Sequence, residues 1–87
     1  MTVFYSKKFQ KSYKKLSRKL QEQFKQRRNL FLEDQFNPIL NNHQLHDPYA
    51  GCRSVNVTGD YRAIFCHESP DIVRFIAVGT HHELFGT

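Results

Sequence analysis

Five histidines, His43, His46, His67, His81 and His82, all lie beyond residue 42. Imidazole titrates near neutrality, so each is a possible proton donor or acceptor in general acid–base catalysis. His81 follows a strand-like run and Gly79, a place where a side chain is fixed yet exposed. His43 sits in a loop beside Asn41 and Asn42. Asp60 occupies a Gly-Asp-Tyr turn, where it either caps its own backbone or serves a site as base or orienter. Arg62 follows at once, and a guanidinium can grip a phosphate through two hydrogen bonds. Tyr61 offers a ring on which a base could stack, or simply packs on a sheet. Strand alternation points Tyr61 and Arg62 to opposite sides, so an unbulged strand gives only one of them to a site. His43-x-x-His46 lacks the i, i+4 helical spacing of common zinc motifs and is a weak metal candidate. Cys52 and Cys66 each fall in a strand-like stretch without the histidine and acid of a thiol protease. They are expected to be reduced, mostly buried thiols.

Charge divides the chain. Residues 1–36 carry ten Lys/Arg against three Asp/Glu, and residues 37–87 carry three against five. A basic first half suits a polyanionic or acidic partner through phosphate contacts and counterion release, although a charge run is more often a solvated helix face. The 87 residues suffice for a single domain, 1–87, with a thin stability margin. No linker-like stretch or repeat interrupts it. No signal peptide is evident after Met1, and no apolar run nears the roughly 20 residues needed to span a bilayer, so a cytoplasmic protein without a membrane partner is expected.

The elements that must hold these residues are legible in outline. Thr2–Tyr5 is β-prone. Phe9, Tyr13 and Leu16 recur at i, i+4, i+7 after a possible N-cap at Ser6, and Ser17 could cap a second helix carrying Leu20, Phe24 and Phe31. Asn37-Pro38 should end that helix. Residues 39–50 read as a loop. Beyond Gly51 the period becomes two: strands at Cys52–Val57, Tyr61–His67 and Ile72–Val78, with turns at Thr58–Asp60 and Glu68–Asp71. Gly79 should break the last strand, and His81–Phe85 could form one helical turn. The expected fold is α+β, in the order β-α-α-β-β-β, with a curved antiparallel sheet packed on an N-terminal helical hairpin and one sheet face left for a site.

Residues 51–65, GCRSVNVTGDYRAIF, and 73–86, VRFIAVGTHHELFG, resemble the core strands of the RelE/ParE toxin superfamily. The ending GTHHELFG and the loop NNHQL are similar to the YafQ type. The resemblance runs over essentially the whole chain; its motifs are short, and their order and spacing carry the weight. It implies an mRNA endoribonuclease of a toxin–antitoxin pair, acting often in the ribosomal A site without metal or other cofactor. There the substrate 2′-hydroxyl would attack the adjacent phosphorus, leaving a 2′,3′-cyclic phosphate and a 5′-hydroxyl. Its implied partners are a cognate antitoxin, mRNA, and operator DNA only through the antitoxin.

Residue by residue, His81 matches the family's catalytic histidine, His43 its loop histidine and Asp60 its acidic position. Arg62 stands where RelE-type toxins place a phosphate-binding arginine, which makes it the fourth catalytic candidate. Arg53 matches a common arginine, Tyr61 an aromatic beside the acid, and Phe85 a terminal aromatic; these, with Asn56, are the substrate-binding candidates. Two positions depart from the YafQ pattern. Asn56 stands where relatives can carry a second strand histidine, and Ala77 where they can carry an arginine. Either Arg62 supplies the lost charge, or activity is weak. The alternatives are a ParE-like gyrase inhibitor, against which the histidines and Asp60 argue, and a catalytically degenerate antitoxin-binding homologue.

Overall fold

In the computed structural model, which describes residues 1–86, the chain runs β1 (Thr2–Tyr5), α1 (Lys7–Lys15), α2 (Arg18–Glu33), a 3-10 turn (Pro38–Leu40), β2 (His43–Gln44), β3 (Cys52–Asn56), β4 (Tyr61–Ser69), β5 (Ile72–Thr80) and α3 (His81–Phe85). Both helix starts follow from serine caps. Ser6 Oγ accepts from Phe9 N–H at 3.0 Å, and Ser17 Oγ accepts from Leu20 N–H at 3.2 Å. The two caps leave little more than Leu16 and Ser17 between the helices, so they fold back as a hairpin.

The α1 and α2 stripes bury Phe9, Phe24 and Phe31 against one face of the sheet. Phe75 is the hub of that core, with ring centroids 5.4 Å from Phe24 and Phe65 and 5.9 Å from Phe9 and Phe31. Tyr61 joins the same cluster, at its edge.

The strand order is β1-β5-β4-β3-β2, and β1 runs parallel to β5. The sheet is therefore mixed, not wholly antiparallel. A four-residue β-prone run carries no mark of its partner, and the helical hairpin returns the chain so that β1 lies beside the last strand. The stretch expected to be only loop also contributes β2, where His43 and Gln44 pair with Ser54 and Arg53. α2 stops at Glu33, ahead of Asn37-Pro38, and Asn37 instead caps the 3-10 turn that seats the buried Leu40.

Gly79 does not break β5; it pairs with Arg62. Its lack of a side chain matters because a Cβ there would come within 3.1 Å of Glu83 Oε1. The larger correction concerns the cysteines. Cys52 and Cys66 form a disulfide, not two free thiols. They are direct cross-strand partners on β3 and β4, with Cα atoms 4.3 Å apart, close to the spacing of a non-hydrogen-bonded antiparallel pair. Among the described residues no helix is long and apolar enough to cross a membrane.

Candidate functional site

Register assigns the second face of the sheet. Ser54 pairs with Ile64 and Asn56 with Arg62 on β4, and these in turn pair with Ala77 and Gly79 on β5. Directly opposed residues share a face, so all six point away from the core hub, Phe75. A cleft of ≈ 540 Å³ opens on this side, with His43, His46, Ser54, Arg62, His81 and Phe85 in its wall.

Each side chain has an identifiable support. After the 3-10 turn, Asn41 takes a left-handed conformation (φ 46°), which asparagine tolerates better than most residues, and swings the chain into β2. His43 Nδ1 lies 2.8 Å from the Asn41 carbonyl oxygen. A carbonyl can only accept, so Nδ1 carries the proton in this contact and Nε2 is left as the basic nitrogen. Arg62 Nη1 donates to the carbonyls of Thr58 (3.1 Å), Gly59 (2.9 Å) and Tyr61 (3.3 Å), which pins the guanidinium against its own turn. Its remaining N–H groups make none of these bonds. His81 N–H donates to the Asp60 carbonyl at 3.0 Å, and the His81 ring lies 4.9 Å from that of Phe85, which in turn meets Tyr49 edge-on at 6.0 Å.

The short helix carrying His81 is closed by a capping box. Thr80 Oγ1 accepts from Glu83 N–H at 3.1 Å, and Glu83 Oε1 accepts from Thr80 N–H at 2.7 Å. The Thr80 backbone N–H holds the Glu83 carboxyl below its usual range, helped by the Thr80 hydroxyl, against the opposing effect of desolvation, with His82 adding the weakest contribution. Gly86, in the left-handed region at φ 71°, ends the helix.

Of the candidates named from sequence, His43, His81, Arg62 and Phe85 meet in this cleft. Four others do not line it. Asp60 has an exposed side chain and reaches the site through its carbonyl alone. Tyr61 points to the helix side, as alternation requires. Arg53 Nε donates to Asn42 Oδ1 at 2.7 Å, and its guanidinium lies over the Phe36 ring at 5.6 Å; Arg53 pairs with the core residue Phe65 and so takes the other face of the sheet. Asn56 lies on the correct face beside Arg62, half-buried, with no partner for Oδ1. Sequence reasoning overlooked Ser54, and weighed His46 only as a metal ligand. Ser54 could have been found by counting outward from the Thr58–Asp60 turn, which sets it on the same side as Arg62. Among the described residues no three histidine, cysteine or acidic side chains gather as a metal site would need. A second groove, ≈ 430 Å³, lies between α1 and α2 beside Tyr5, with Tyr13, Lys14, Lys25 and Arg28 around it and none of the histidines.

The fold recurs among solved toxins. The crystal structure of YafQ from E. coli strain BL21(DE3) superposes with a TM-score of 0.82 at 24% identity, covering 97% of each chain. An E. coli DinJ-YafQ toxin-antitoxin complex gives 0.79 at 24%, covering 97% of this chain and 96% of that one. The YoeB/ParE toxin from Agrobacterium tumefaciens gives 0.76 at 15%, covering 93% and 99%. No curated protein matches the chain in sequence. The family described as "Bacterial toxin of type II toxin-antitoxin system, YafQ" matches residues 1–86. That match takes in the helical hairpin, the mixed sheet and the histidine-bearing tail alike, and the chain belongs to the YafQ family of type II toxins.

Proposed function

We propose that this toxin is a metal-independent endoribonuclease that cuts mRNA, on the ribosome, and that an antitoxin encoded beside it holds it inactive. The observation that carries the reading is the meeting of His43, His81 and Arg62 in one cleft. Cleavage by the substrate's own 2′-hydroxyl needs a base at that oxygen, an acid at the leaving 5′-oxygen, and positive charge at the crowded phosphate. His43, with Nδ1 tied to the Asn41 carbonyl, offers Nε2 to take the 2′-hydroxyl proton. The 2′-oxygen then bonds to phosphorus as the bond to the 5′-oxygen breaks. His81, protonated, gives its proton to that leaving oxygen. Arg62 turns its unengaged N–H groups to the non-bridging oxygens, where ionised partners make its strongest hydrogen bonds. The products are a 2′,3′-cyclic phosphate and a 5′-hydroxyl. Phe85 stacks beside the reacting nucleotide, and Asp60 acts as a positioning residue through the carbonyl that holds His81.

The lysines and arginines of residues 1–36 suit an acidic or amphipathic antitoxin segment, the E. coli DinJ-YafQ toxin-antitoxin complex being the precedent for such a partner, and operator DNA is reached through that antitoxin. The test is induced expression of wild type and His81→Ala with mapping of RNA 5′ ends. Wild type should arrest growth and generate new 5′-hydroxyl ends, and His81→Ala should lower cleavage by about 10²–10⁴-fold, the usual worth of a general acid. Equal cleavage by both proteins would move the chemistry to other residues.

A further inference from the structure

The cleft side of the sheet holds two buried polar atoms without a partner, one in the cleft wall and one beside Arg62. Ser54 is fully buried in the middle of β3, and its Oγ has no hydrogen-bond partner. Two residues along the same strand face, Asn56 Oδ1 is also buried and unpartnered. Ser54 and Asn56 are the two buried side chains so marked among the described residues. They sit together, on the cleft side.

A buried hydroxyl without a partner opposes folding, and an apolar side chain of similar size is the simple remedy. The neighbours favour that remedy, since Ile64 and Ala77 on the same face are apolar and buried. Departures from a locally consistent fold collect where a ligand uses the offending group. Register sharpens the point. The side chain beside Ser54 on β2 is His43, and the one beside Asn56 on β4 is Arg62. A substrate that engages His43 and Arg62 therefore draws on the two side chains flanking both orphaned atoms.

The chemistry of the orphans restricts what could satisfy them. Oδ1 of an amide can only accept, and Ser54 Oγ can accept as well as donate. A phosphate diester has no proton to offer. We propose that Ser54 and Asn56 form a subsite for a hydrogen-bond donor on the neutral part of the nucleotide. A ribose hydroxyl and the N–H edge of a base are its two possible sources. The inference rests on the reading of the cleft as a nucleotide site, and adds to it a recognition group distinct from the proton-transfer pair.

The test uses Ser54→Ala in the full chain, because alanine deletes the hydroxyl and little else. Thermal melts come first. An orphaned hydroxyl predicts that Ser54→Ala is at least as stable as the parent, whereas a structural serine predicts a loss. Binding is then read by fluorescence anisotropy in a His81→Ala background, so that the RNA survives. The probes are a labelled single-stranded RNA ten-mer and the DNA ten-mer of the same sequence. Ser54→Ala should weaken RNA binding about tenfold, the scale of one buried hydrogen bond. If DNA binding is untouched, the donor is a ribose hydroxyl; if both fall alike, it is a base edge. Unchanged RNA affinity, no RNA binding by the parent, or a lowered melting temperature in Ser54→Ala would overturn the subsite. Cleavage assays separate the two claims. A wild type that binds RNA through Ser54 but never cuts it sinks the nuclease and leaves the subsite standing. A wild type that cuts as fast with Ser54→Ala leaves the nuclease and sinks the subsite.

Discussion

The two faces of one sheet differ in how completely they are satisfied. On the helix side, Val55, Val57, Phe65, Val73 and Phe75 are buried under Phe9, Phe24 and Phe31, with ring packed on ring. On the cleft side the same strands carry Ser54, Asn56 and Arg62, two of them with orphaned polar atoms and the third tied back to its own turn by three carbonyls. Alternation along β3 and β4 separates the faces by a single residue step, so the strands can be optimised for folding on one side and left unfinished on the other. Stability thereby falls to one set of residues, and the proposed recognition to another set on the same elements.

Phe75→Ala should break the comparison most severely. It removes the hub ring and is expected to lower stability by about 3–5 kcal/mol, read from urea unfolding, a large share of a small domain's margin. Activity per folded molecule should survive, because that ring packs among Tyr5, Phe9, Phe24, Phe31 and Phe65 on the helix side; a selective loss of activity would mean the faces are coupled. Thr80→Ala acts at the junction. Losing this N-cap should cost about 1 kcal/mol and should raise amide exchange in residues 81–85 without disturbing the aromatic core. The smallest effect is one of pH. The Glu83 carboxyl titrates below its usual value of 4.5 in the folded chain, so its contribution is complete above that value and fades as pH falls through the lowered one. Protection of the α3 amides, measured against their intrinsic exchange rates, should therefore fall as pH drops through the lowered value while the helix-side core stays protected. In Glu83→Gln that acid-induced change should disappear.

Much of this was legible. The serine caps, the aromatic stripes of α1 and α2 and the period-two run after Gly51 gave the elements, because each rests on local chemistry. The opposition of Tyr61 and Arg62 followed from alternation alone. What escaped was pairing between distant segments: the parallel partner of β1, the two-residue β2 hidden in a polar loop, and the cysteine bond. That bond was within reach. Cys52 and Cys66 are equidistant from Gly59, so a turn at Thr58–Asp60 makes them cross-strand neighbours, a relation that an expectation drawn from the compartment leaves out. For the site, motif matching proposed His43, His81, Arg62 and Phe85, but also Arg53, whose stacking on Phe36 no local pattern announces. Ser54 was passed over because a lone serine in a strand looks ordinary until its burial is known.

The parallel pairing of the first strand with the last has a consequence for the order in which the molecule can mature. Thr2 N–H donates to the Asp71 carbonyl and Ser6 N–H to that of Phe75, so these backbone donors of the chain's opening find their partners about seventy positions away. Until β5 is synthesised, the aromatic stripes of both helices have no sheet to cover, and the tail carrying His81 does not yet exist. The helical hairpin is therefore expected to stay uncovered for most of synthesis, with core and cleft completed together once β5 is made.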